Sequence, residues 1–180
     1  MERWRAARGF TLTELLVSLA VLGLLLAGVL TLQQTGLASY VWGAARVEAQ
    51  QSARSALHWM AKELREAGYD PAGAGLAAIV EAEPARVTFQ RDLNGNGVID
   101  PTRERVSYLL RGTVLRRDAG GGAQPVIEGV RSLTLSYFDA AGAPTADPGQ
   151  VTSLWIQVEV GLRGPSVTMG TAVSLRNAGG

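Results

Sequence analysis

Two periodicities divide the chain. From Leu15 to Leu32 apolar residues dominate and no charge occurs for 18 residues, enough for a helix of about 27 Å, close to the hydrocarbon thickness of a bilayer. Further on, Ala49, Ala53, Ala56, Met60, Leu64 and Ala67 recur every three or four residues, while Glu48, Gln51, Arg54, Lys62, Arg65 and Glu66 fill the other faces. That spacing predicts a helix continuing beyond the membrane with one buried stripe. Gly68 and Pro71, with Arg65 in the last turn, predict its end near Ala67. Gly23, Gly28, Gly36 and Gly43 punctuate it, either for close helix approach or for bending.

From about Leu76 the period falls to two. Val87 and Phe89, then Val106, Tyr108 and Leu110, then Leu133, Leu135 and Tyr137, then Leu154, Ile156, Val158 and Val160 alternate with mostly polar neighbours. Val167, Met169 and Val173 to Leu175 predict a last strand. The connections Asn94-Gly95-Asn96-Gly97, Asp118 to Gly122, Asp139 to Gly142 and Gly161 to Pro165 are rich in turn formers. Short strands joined this way predict an antiparallel meander whose apolar face needs a cover, and the stripe on residues 49–67 supplies one. The expected fold is α+β: a long N-terminal helix, half membrane-spanning and half amphipathic, packed on a C-terminal antiparallel sheet.

Charge adds an orientation. Lys and Arg total 17 against 16 Asp and Glu, so no global field favours nucleic acid. Arg3, Arg5 and Arg8 sit before the apolar run, and no basic residue follows until Arg46. The positive-inside rule then places the N-terminus in the cytoplasm and the bulk of the chain outside, with Trp4, Tyr40 and Trp42 as interfacial anchors. The chain has no cysteine, which excludes disulfide scaffolds, thiol catalysis and Cys-based zinc sites. A secretory signal peptide fits less well, because the run is long and no small-x-small cleavage site follows it. A plain uncleaved anchor explains the apolar residues and the arginines, but it leaves Glu14, at the mouth of the run, without a purpose.

The stretch Arg8-Gly9-Phe10-Thr11-Leu12-Thr13-Glu14-Leu15-Leu16 resembles the signal of type IV pilins and type II secretion pseudopilins: a short basic leader ending in glycine, then Phe-Thr-Leu-x-Glu, then an apolar helix. The resemblance implies cleavage between Gly9 and Phe10 by a prepilin peptidase and N-methylation of Phe10. It also implies residues 1–9 as leader, 10–32 as transmembrane and assembly helix, 33–70 as its amphipathic continuation and 71–180 as β head. Glu14 then falls at the fifth mature position. There the new ammonium of a neighbouring subunit would neutralise a carboxylate that is costly to bury alone, so Glu14 would select the stagger of the filament.

The segments Ala61 to Pro71, Val87 to Gly97 and Glu128 to Leu133 are similar to PilW-type minor pilins and to J-type minor pseudopilins of secretion systems. The implied function is a minor pilin in a type IV pilus, with a type II secretion pseudopilin or a DNA-uptake pilin as alternatives. Implied partners are the prepilin peptidase, other minor and major pilins, and the assembly platform and ATPase. The implied location is the inner membrane, single-pass, and then the filament.

Three chemistries need weighing. Asp92, Asn94, Asn96 and Asp100, with Gly97 at the sixth position, follow the first nine positions of an EF-hand-like calcium loop, but the twelfth is Arg103, and Glu104 comes one residue late. A hairpin with two Asn-Gly turns is the other reading. His58 is the sole histidine and is expected as a packing residue, and Gly120-Gly121-Gly122 has no lysine after it to make a phosphate loop. No enzyme is expected. Arg116 and Arg117 with Arg103, Arg105 and Arg111 are the one hint of DNA contact, against the commoner reading of solvated surface arginine.

Overall fold

The computed structural model describes residues 9–161 and 164–178; Met1, Arg3, Trp4, Arg5 and Arg8 lie outside them. Contacts divide the chain into two compact units, 1–43 and 44–180. Helix α1 (Leu12–Leu64) runs from one into the other.

Within the first unit the helix is unbroken through Gly23, Gly28, Gly36 and Gly43, each of which faces open space. Its hydroxyls are satisfied locally. Ser18, Thr31, Thr35 and Ser39 each donate to the carbonyl four residues back, at 2.8–2.9 Å, which lets polar side chains sit in an apolar segment. The apolar side chains from Leu15 to Leu32 are exposed, and no residue of the 18-residue span is buried inside the protein.

The second unit is the head. Its end of α1 buries Ala53, Ala56, Leu57, Met60, Ala61 and Leu64, the expected stripe widened by Leu57 and Ala61. The regular helix stops at Leu64, and irregular turns carry the chain through Ala67 to Gly68. Gly68 has φ +75° and gives its N–H to Gln90 O at 2.9 Å. A Cβ there would come within 2.8 Å of both the Ala78 side chain and Asn177 O, so only glycine fits.

The strands are β1 (Ile79–Glu83), β2 (Arg86–Gln90), β3 (Arg105–Arg111), β4 (Val114–Asp118), β5 (Gln124–Glu128), β6 (Val130–Phe138), β7 (Ser153–Val160) and β8 (Val167–Ser174). All pairings are antiparallel, as expected, but the single meander divides into two sheets, β1-β2-β3-β4-β5 and β6-β7-β8. The break falls at Gly129, whose φ of +73° turns the chain between β5 and β6. The sheets stay joined: Leu135 N–H donates to Pro84 O at 2.8 Å, and the Tyr137 hydroxyl donates to Glu83 O and Arg86 O at 2.8 and 3.0 Å. One continuous apolar cluster gathers the helix stripe with residues of both sheets, including Val87, Phe89, Tyr108, Leu115, Leu133, Leu154 and Ile156. Phe89 and Tyr108 stack with centroids 6.4 Å apart.

Candidate functional site

The N-terminal site starts with backbone that is not helical. Gly9, Phe10 and Thr11 precede α1, and the Phe10 side chain is 80 % exposed. A peptide bond outside the helix is open to a protease in a way that a hydrogen-bonded helical turn is not. Four residues on, Glu14 folds back on Thr11. Glu14 N–H donates to Thr11 Oγ1 at 3.3 Å, while Thr11 N–H and hydroxyl donate to Glu14 Oε2 at 3.3 and 3.2 Å. That reciprocal pattern is a capping box, with Thr11 as N-cap and Glu14 at the third helical position. The Thr-x-x-Glu spacing of Thr11 and Glu14 is the sequence signal for it. Gly9, Phe10 and Glu14 are therefore brought together at one helix start, with Glu14 already partnered inside its own chain.

The second candidate is the loop between β2 and β3. Asp92 and Glu104 are buried, 0 and 2 % exposed. Asp92 Oδ1 accepts the N–H groups of Gly95 and Asn96 at 2.7 and 3.3 Å, and Oδ2 accepts that of Gly97 at 2.7 Å. Glu104 Oε1 accepts those of Leu93 and Asn94 at 2.9 and 3.2 Å, and Oε2 that of Asp100 at 2.8 Å. Asn94, Asn96 and Asp100 each accept the N–H two residues ahead, at 2.8–2.9 Å. The four oxygen-bearing side chains proposed for calcium thus all have backbone partners, and the loop's own N–H groups satisfy the two buried carboxylates, Asp92 and Glu104. Among the described residues no three His, Cys, Asp or Glu side chains gather closely enough to hold a metal ion. Glu104, one residue late for the calcium motif, instead serves as an acceptor for the loop's backbone.

A third cluster ties helix to sheet. Glu63 accepts two hydrogen bonds from Arg117, at 2.8 and 2.9 Å, and one from the Tyr108 hydroxyl at 2.6 Å, with Arg91 3.6 Å away. Arg91 also pairs with Glu66. Burial pushes the Glu63 carboxyl up more than any other single influence, yet the bonds from Arg117 and Tyr108 and the nearby positive charges together hold it below its ordinary value. Burial pushes the Tyr108 phenol up, and its bond to the carboxylate adds to that. The hydrogen bond to Glu63 raises Arg117 in turn. Glu63 was not singled out by the sequence, because a polar residue beside a helical stripe reads as solvated.

This cluster draws Arg117 away from the group of arginines weighed for DNA contact. Arg117 is spent on Glu63, Arg116 donates to Ala123 O at 2.9 Å, and adjacent residues of a strand point to opposite faces. Gly120 is explained by crowding: a Cβ there would lie 2.4 Å from Thr102 Cα and 2.5 Å from Pro101 O. His58, expected as a packing residue, is instead exposed, because its position falls just off the buried arc of α1, next to the 60 % exposed Trp59.

A prokaryotic N-terminal methylation motif matches residues 4–30. Comparison with curated proteins finds no match. The motif takes in the site at Gly9, Phe10 and Glu14 and most of the apolar run, and it supports a place for this chain in the type IV pilin-like superfamily, as a structural protein rather than an enzyme.

Proposed function

We propose that the chain is a minor subunit of a type IV pilus filament, made as a membrane-inserted precursor with its head outside the cytoplasm. A prepilin peptidase cuts between Gly9 and Phe10 and the new Phe10 amine is methylated. The subunit then leaves the membrane, packs its apolar helix among those of other pilins, and sets its stagger by pairing Glu14 with the amine of a neighbour. The assembly platform and ATPase drive that transfer.

The observation that carries this reading is the methylation motif at residues 4–30, at a non-helical Gly9-Phe10 bond followed by a helix whose apolar residues have no cover within the protein. Mass spectrometry of the mature protein tests it. The expected N-terminus is N-methylated Phe10. An intact Met1, or a cut beyond Leu32, overturns it.

A further inference from the structure

Each sheet has two edges, and an edge strand offers unpaired backbone N–H and C=O groups to other chains unless something blunts it. Three of the four edges are blunted. β5 carries Pro125 and Glu128. β1 is five residues long, carries Glu81 and Glu83, and lies against the 3-10 turn Pro148–Gln150. β6 gives the N–H of Val130 to Thr113 O at 2.9 Å and that of Leu135 to Pro84 O at 2.8 Å, so the first sheet occupies its outer side.

β8 differs on every count. Its eight residues, VTMGTAVS, include no charge and no proline, and among the described residues its backbone hydrogen bonds go to β7 alone. Val167 and Val173 are buried, Met169 is half-buried at the rim of the core, and Thr168, Gly170, Ala172 and Ser174 are exposed. On the outer face the Trp155 ring lies over Gly170, where a Cβ would come within 2.5 Å of it.

We propose that β8 is a pairing edge and that its occupant is β8 of a second copy of this chain, running antiparallel and joining two three-stranded sheets into one of six strands. The strand is its own complement. An antiparallel register centred on Gly170 sets Val167 opposite Val173 and Met169 opposite Thr171 on the core side, and Thr168 opposite Ala172 outside. Any register matching residues of like parity keeps core side against core side, and none brings like charges together. Met169 then gains cover that its own chain does not give it. The pairing belongs to the head and does not depend on processing at Gly9, so its failure and that of the filament reading are separable.

The chain lacks cysteine, so introduced thiols report alone. Full-length Thr168→Cys and Ala172→Cys chains, mixed in detergent and mildly oxidised, are expected to form disulfide-linked dimers, whereas Gln157→Cys on the central strand β7 forms none. A Thr168→Lys/Ala172→Lys double variant, altered only at exposed positions and checked for folding by circular dichroism, sets lysines opposite each other. Its dimer fraction in sedimentation equilibrium is expected to fall about tenfold. Edge thiols that cross-link no better than Gln157→Cys, or a lysine variant that sediments like the parent, overturn the proposal.

Discussion

Glu14 has two partners to choose between, and the choice sets what its substitutions do. In the single chain the carboxylate caps the helix start through Thr11; in the proposed filament it meets the Phe10 amine of a neighbour. Glu14→Gln separates these roles, because an amide oxygen still accepts from Thr11 N–H but carries no charge. We expect Glu14→Gln and Glu14→Val alike to be inserted and cleaved like the parent yet to be lost from sheared filaments, in immunoblots of membrane and filament fractions. Thr11→Ala should cost about 1 kcal/mol of helix-start stability and keep incorporation. Normal incorporation of Glu14→Gln would leave capping as the whole role of the residue.

At the scale of elements, α1 and the first sheet are held together by more than apolar contact. Glu63 is mostly buried and bridges the helix to β3 and β4 through Tyr108 and Arg117. Because its folded value lies below the unfolded one, the stability it adds is fully present above the ordinary glutamate range, about 4.3, and fades as the pH falls through the lower folded value. Urea unfolding of the parent should therefore weaken below about pH 4, and Glu63→Gln should remove part of that dependence while lowering stability at neutral pH by about 1–3 kcal/mol. An identical acid limb in the variant would show that other carboxylates carry it.

The β2–β3 loop makes a different prediction. Asp92→Asn and Glu104→Gln each turn an amide N–H₂ toward backbone donors and should cost about 1–3 kcal/mol. Thermal melts are expected to share one midpoint in calcium and in chelator, since Asp92, Asn94, Asn96 and Asp100 each already accept a backbone N–H. A midpoint raised by calcium would make Asp92, Asn94, Asn96 and Asp100 its ligands. Elements with a clean alternation, such as β6 and β7, were legible from the sequence. β1, β4 and β5 were not, because five-residue strands bearing Glu81, Arg116, Arg117 or Pro125 carry too few apolar alternations to show a period. Glu63 stayed hidden for a related reason: burial of a charged residue depends on partners far away in sequence, here Arg117, and the acceptor role of Glu104 depends on how the loop folds back on it.

For the whole molecule the distribution of burial decides where stability resides. Every buried apolar residue of the core cluster lies between Ala53 and Leu175, and no residue of the 18-residue apolar span is buried. The span is stable as a helix through its own backbone bonds, but its apolar side chains need cover from a bilayer or from other chains. Removing residues 1–43 should therefore subtract the need for detergent and little of the folding energy. A chain beginning at Ala44 is expected to be soluble without detergent, to keep the far-ultraviolet signature of mixed helix and sheet, and to melt within a few degrees of the head in the full-length protein. The Glu14 and Ala44 experiments also constrain one another. If the truncated head failed to fold, loss of Glu14 variants from filaments could reflect a damaged subunit; if it folds, that loss isolates the helix start as the element that selects neighbours.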